Sequence, residues 1–535
     1  MATKILLGPV LSFRGVSQGK WQVSALIGID EGDKAPKVIV DGKAAPKSKV
    51  LLKHGGRQYL RYDLTTNQGD QERKVEYAIE GVDEVWNFTV PGTDYAPRMA
   101  YVSCNGFSDP SSIRKLIKGE NAVWADLLCN HDKQVRPAGY MLDKEQLWHE
   151  PRTHDKNLQR FHLLLMGGDQ IYFDSIWEDV KELKGWIGLP REHQLVFPVD
   201  PELEARIEDY YLNLYADRWL PKERGDWDTK AKPLDAAQAM ARTPTVMMWD
   251  DHDIFDGWGS YPADLQGCEV YQAIYAAAAK YFRLFQLRSA ANVSLLDPAH
   301  LTHHSWRLRF RGYQILALDN RATRSQNQVM SREQWDQING ALADCGEGHL
   351  LVMTGVPVVY RDFSFTEAAF DATPWEEELT DDLKDHWRAK SHQGERARLI
   401  MRLLDNARLR RQAVKGEDQA IPKTLILSGD VHVGCLGVIQ DRRGEGVMNV
   451  HQLVSSGIVH PCPTQFQWTG ILAMTNDDPE YLDESRLVRA ELLKPFGAPV
   501  YLRTRNFATL QMGSDNKLWA NWHCENDLAA SYPLA

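Results

Sequence analysis

The sequence predicts an α/β fold of the α+β kind: a layered domain of sheets and helices, preceded by a small all-β sandwich. Three observations carry that expectation. Short β-rich runs broken by Gly, Asp and Pro fill the chain up to about Tyr95. From Met99 onward, apolar strand-like runs alternate with amphipathic helical stretches. Three of those runs, far apart, end in metal-type side chains: Leu163-Leu-Leu-Met-Gly-Gly-Asp-Gln-Ile-Tyr172, Val246-Met-Met-Trp-Asp-Asp-His-Asp253 and Leu425-Ile-Leu-Ser-Gly-Asp-Val-His432. Open α/β sheets place their chemistry beyond the C-terminal strand ends. Three runs of one design therefore point to a shared site.

Taken in order, Lys20–Ile29, Gln58–Leu64, Val75–Ile79 and Val85–Val90 read as strands by alternation or by β-branched and aromatic enrichment. Pro91-Gly92 and Ala96-Pro97 mark a linker, dividing a β-sandwich domain, 1–97, from a catalytic domain, 98–535. Residues 176–243, rich in Trp and Pro, read as a helical insertion and a wall of the substrate pocket. Glu269 to Leu287 forms a helix whose apolar stripe suits core packing. Ser331-Arg-Glu-Gln334 is a capping box opening a helix with Trp335, Ile338 and Leu342 on one face. Leu350–Gly355 follows as a buried strand.

The net charge of −11 argues against a broad nucleic-acid surface, though not against a small phosphorylated substrate. The start lacks the long apolar region of a signal peptide, and no run of about 18 apolar residues predicts a membrane span. Seven cysteines without a CxxC pair suggest reduced thiols. These features predict a cytoplasmic protein without a membrane partner; they do not fix an oligomeric state.

At the first strand end, Asp169 can bridge two metals and a deprotonated Tyr172 suits a hard ion; a simple Asp turn over a packed tyrosine is the other reading. Asp250-Asp-His-Asp253, with Asp256 beyond, crowds four carboxylates around one imidazole, which requires cations or hydrogen bonds. Solvated loop carboxylates and a helix cap are the alternative. Asp430 and His432 sit at i and i+2, on one side of an extended segment; a hydrogen-bonded buried histidine is the alternative. Cys104, ending Tyr101-Val-Ser-Cys104, reads on its own as a core thiol. Arg321 suits phosphate recognition or an ion pair with Asp319.

In order, Ser103-Cys104, Gly168-Asp169-x-x-Tyr172, Asp250-Asp-His-Asp253, Asp319-x-Arg321 and Ser428-Gly-Asp-Val-His432 resemble the motifs of the alkaline phosphatase D (PhoD-like) family of binuclear metallophosphatases. The resemblance implies a metallophosphatase-like layered sandwich and metal ligands Cys104, Asp169, Tyr172, Asp256, Asp430 and His432. It suggests Fe3+ plus Ca2+, with Mn2+, Zn2+ or Mg2+ as alternatives. It also implies that His252 lies beside the transferred phosphoryl group and that Arg321 orients it. Two residues depart from the family pattern: Asp253 replaces its Glu, and Asp256 its Asn. The implied activity is hydrolysis of phosphomonoesters or phosphodiesters by water activated between two metals. A nucleotide-specific or other ester hydrolase, or a non-catalytic metal-binding relative, are the alternatives.

Overall fold

The computed structural model describes residues 4–93, 96–109, 112, 116, 118–131, 160–219, 234–288, 294–344, 346–362, 386–414, 421–526 and 528–534. A ten-stranded sheet runs, edge to edge, through Ala529–Pro533, Leu518–Cys524, Asn506–Met512, Met99–Val102, Leu163–Gly167, Thr245–Met248, Ile5–Ser17, Lys20–Asp30, Arg57–Asn67 and Lys49–His54. An eight-stranded sheet runs through Trp306–Phe310, Tyr313–Ala317, His349–Met353, Thr424–Ser428, Gly446–Val454, Cys435–Gly444, Val488–Leu493 and Glu480–Tyr481. A four-stranded sheet contains Lys43–Ala44, Val38–Val40, Arg73–Ile79 and Val85–Val90.

The middle strands of both large sheets are parallel, with Leu165 opposite Tyr101 and Val246, and Leu351 opposite Ile315 and Leu425. Parallel strands are covered on both faces, which explains why these segments read as unbroken apolar runs. Leu163–Gly167, Thr245–Met248, His349–Met353 and Thr424–Ser428 are buried throughout. Alternation sorts their side chains. Leu351, Met353, Leu425 and Leu427 face the core shared with the ten-stranded sheet. Leu350, Val352 and Ile426 face a second core formed with Trp335, Ile338, Leu399 and Leu403. Helices Arg332–Ala343 and Gln393–Gln412 thus cover one sheet's outer face, and the two large sheets share the central core. Each fully buried leucine contributes roughly 1.5–3 kcal/mol, so both faces are needed to fix the layers.

The first 97 residues supply strands to two sheets, including all four strands of the four-stranded sheet. Ile5–Ser17, Lys20–Asp30, Lys49–His54 and Arg57–Asn67 extend the ten-stranded sheet, joined to it where Ser12 pairs with Thr245. Gly8-Pro9 reads as punctuation in the sequence, because proline removes a ladder hydrogen bond. The pairing with Lys20–Asp30 absorbs it through register shifts between Ile5 and Leu7 and between Leu7 and Val10.

Ser331 caps its helix by accepting the Gln334 N–H at 3.2 Å. The reciprocal half of the expected box is absent, because Ser331 N donates to Thr323 Oγ1 at 2.9 Å and the Gln334 side-chain oxygen accepts from that hydroxyl at 2.7 Å. The insertion is helical over its described parts, notably Pro201–Arg218, which packs on Glu269–Phe285. The six described cysteines are all free thiols. Among the described residues no helix is long and apolar enough to cross a membrane.

Candidate metal centre

The predicted strand ends meet where the two large sheets adjoin. Cys104 follows strand Met99–Val102 and Asp169 follows its parallel neighbour Leu163–Gly167. The backbones remain zipped past the strands, with Cys104 N donating to Gly168 O at 3.2 Å and Asn105 N to Asp169 O at 2.7 Å. The Cys104 thiol then reaches Asp169 Oδ2 at 3.3 Å. Tyr172 brings its hydroxyl to 3.4 Å from His432 Nε2, linking the first sheet to the segment after Thr424–Ser428.

Cys104, Asp169, Asp430 and His432 all have positive φ, between 52° and 66°. Such left-handed backbone is uncommon for these residue types and concentrates at functional turns. Space is equally restricted. A Cβ on Gly106 would strike the Tyr172 ring, one on Gly429 the Ser103 side chain, and one on Gly355 the Asp250 carboxylate. Glycine is required at these three close approaches.

The four acidic residues in and beyond the Asp250 segment have different tasks. Asp253 is fully buried and accepts from Gln170 N, Ile171 N, Asp250 N and the Gln286 amide at 2.9–3.1 Å. It bolts two strand-end loops together; burial pushes its carboxyl up to about 7, against the pull of those hydrogen bonds. Asp251 accepts Gly257 N at 2.9 Å. Asp250 and Asp251 both receive the Arg321 guanidinium, Asp250 from Nε and Asp251 from Nη2 at 3.2 Å. Arg321, expected to orient a phosphoryl group, has a side chain without exposure that is held by these carboxylates. The alternative partner, Asp319, receives only its backbone N–H, at 3.0 Å.

His252 stacks on Tyr172 with ring centroids 4.3 Å apart, and its Nε2 lies 3.9 Å from Asp256 Oδ1. Its Nδ1 meets both oxygens of Asp174 at 3.0 Å. Asp174 is a site residue that none of the motifs marks, a lone carboxylate in Ile171-Tyr-Phe-Asp-Ser-Ile176. His460 was missed too: it stacks on His432 at 3.5 Å. Its signal was available, since Leu453-Val-Ser-Ser-Gly-Ile-Val-His460 repeats the pattern of an apolar strand followed by glycine and a ligand-type side chain. Helix Pro201–Arg218 backs the site, with Tyr210 donating to Phe173 O at 2.9 Å and Tyr211 to Ile254 O.

Two groups among the described residues bring ligand atoms within 4.8 Å of one another: Asp169, Asp250 and Asp251, and separately Asp251, His252 and Asp256. Asp250 and Asp251 thus stand beside the predicted ligand Asp169, although the resemblance names neither as a ligand. Asp430 and His432 are half-buried and belong to neither group.

The donor set suits cations. Asp169 Oδ1 is buried without a hydrogen-bond partner. Burial, then the charges of neighbouring carboxylates, pushes Asp169 well above the carboxylate range, despite the opposing His252. Burial and Asp169 likewise push the Cys104 thiol up, and burial with Cys104 and Asp169 pushes the Tyr172 phenol up. A bound cation inverts these preferences and stabilises the anionic forms.

Residues 130–375 match the family model described as PhoD related phosphatase. That stretch includes Asp169, Tyr172, His252, Asp256 and Arg321; Cys104, Asp430 and His432 lie outside it. The uncharacterized protein YGR266W of Saccharomyces cerevisiae is 26% identical over 480 residues, covering 80% of this chain and 62% of its own length. The chain therefore spans about three fifths of that relative. The match over residues 130–375 supports membership of the PhoD-related phosphatases.

Proposed function

We propose that this chain is a metal-dependent phosphoesterase acting on phosphomonoesters or phosphodiesters. The proposed ligands are Cys104, Asp169, Tyr172, Asp256, Asp430 and His432, with Asp250 and Asp251 shaping the charge beside them. The observation that carries the reading is Asp169: a buried carboxylate with one unsatisfied oxygen, 3.3 Å from a buried thiol and grouped with two more carboxylates. So much latent negative charge in a dry place is costly without cations. Metals held by these residues would supply positive charge for the phosphoryl oxygens and make a nearby water more acidic.

The chain's own groups supply position. Stacking on Tyr172 fixes the His252 ring plane, so Nε2 can serve the leaving oxygen. Arg321 acts from behind the site, neutralising Asp250 and Asp251 and holding both in place. Asp253 keeps the Asp169 and His252 segments in register.

Elemental analysis of natively purified protein, paired with a panel of phosphomonoesters, phosphodiesters and nucleotides, tests the proposal. Two metal equivalents per chain with hydrolysis of at least one ester class is the expected result. A metal-replete protein that turns over nothing in the panel would leave a binding role instead.

A further inference from the structure

Asp174 lies two residues beyond Tyr172, on the turn that passes under His252. Three contacts stitch it there. Phe173 N donates to His252 O at 3.0 Å. Both Asp174 oxygens stand 3.0 Å from His252 Nδ1. Asp174 Oδ1 also accepts Asp256 N at 2.8 Å. Asp174 and His252 are each largely shielded from solvent, with side chains 13% and 11% exposed. An acceptor-only carboxylate on Nδ1 makes that nitrogen the donor. Nε2 is then the atom available for chemistry, and Tyr172 stacking resists rotation of the ring.

We propose that Asp174 is the positioning residue of a His252–Asp174 pair that protonates the leaving group, an inference resting on the phosphoesterase reading above. A carboxylate in this place fixes the imidazole's tautomer and stabilises its protonated form without itself changing charge. In the step, water oxygen forms its bond to phosphorus while the bond from phosphorus to the leaving oxygen breaks. The bonding pair goes to the leaving oxygen, which takes the proton from His252 Nε2. The attacking water gives a proton to solvent, from which His252 is recharged. Asp174 also fixes the backbone of Asp256, so the same carboxylate sets the distance between the imidazole and the proposed ligand at 256.

The test compares Asp174→Asn with the wild type on alkyl and nitrophenyl esters of phosphate, alongside metal content by elemental analysis. Asparagine keeps a hydrogen-bond acceptor while losing the charge. Turnover of the alkyl ester, whose leaving group needs a proton, should fall on the order of 10²–10⁴-fold. The nitrophenyl ester should lose far less, with metal content unchanged. Equal losses on both esters, or loss of metal with activity, would overturn the proposal. A second readout does not use turnover: a downfield imidazole N–H proton resonance in the wild type, absent from His252→Asn and from Asp174→Ala. If the wild type hydrolyses no ester, the phosphoesterase reading fails, and the resonance still decides whether Asp174 holds Nδ1.

Discussion

Arg321 Nη2 donates to Asp251 Oδ1 at 3.2 Å while Nε of the same guanidinium donates to Asp250, and none of the three side chains is appreciably exposed. Removing one partner of such a buried network leaves uncompensated charge and costs about 3–5 kcal/mol. Arg321→Met should lower stability by that amount in denaturant titrations. Arg321→Lys should rescue little, because an ammonium cannot span both carboxylates as the planar fork does. A surface-like loss under 1 kcal/mol would show that the pairing contributes little.

Asp169→Asn separates charge from shape. The metal-free variant should melt within a few degrees of the metal-free wild type, or higher, since the carboxylate gains little there. Metal should raise the wild-type melting temperature by ligand linkage and leave the variant's nearly unchanged. A metal-dependent rise of equal size in both proteins would remove Asp169 from the ligand set.

The strands were largely legible because two-sided burial writes itself as an apolar run: Leu163–Gly167 and Thr424–Ser428 were evident before any contact was known. Ligand-type residues at their ends stood out for the same reason, as polar groups with no local cause. The division of labour among those groups was not legible. Asp250, Asp251 and Asp253 are alike in sequence, and only packing makes one a bolt between loops and two the partners of Arg321. Strand pairing across the 97/98 boundary was hidden too: Ile5–Ser17 joins Thr245–Met248 where Ser12 pairs with Thr245, and nothing in either run marks the other as its partner.

Gly355→Ala should damage the centre through a residue that binds nothing. The added Cβ would collide with the Asp250 carboxylate and push it away from Arg321. A stability loss of about 1–3 kcal/mol is expected, together with weaker metal retention on dialysis. Wild-type retention would indicate that Asp250 can move without consequence.

Acid should destabilise the fold through histidines remote from the centre. Burial pushes His162 down to about 4 although Glu72 pulls the other way. Burial, then Arg410 and Lys423, lowers His349 to about 4, and burial with Lys423 does the same to His451. Between an unfolded value of 6.5 and about 4, the unfolded chain binds more protons, so stability falls as pH falls. Each histidine contributes a slope of about 1.4 kcal/mol per pH unit across that window. Melting temperature measured across the window should decline, and His451→Gln should flatten the decline. An unchanged slope in that variant would rule out His451 as a contributor.

The left-handed backbone at Cys104, Asp169, Asp430 and His432 has an evolutionary consequence. Asparagine and glycine tolerate that conformation best, whereas β-branched residues oppose it. Asp169→Asn or Asp430→Asn therefore abolishes a carboxylate while keeping the turn that carried it. A gene copy freed from selection for turnover could cross to a silent, fully folded paralogue in single steps at these positions, while the glycines wedged against Asp250, Ser103 and Tyr172 would still be demanded by the architecture.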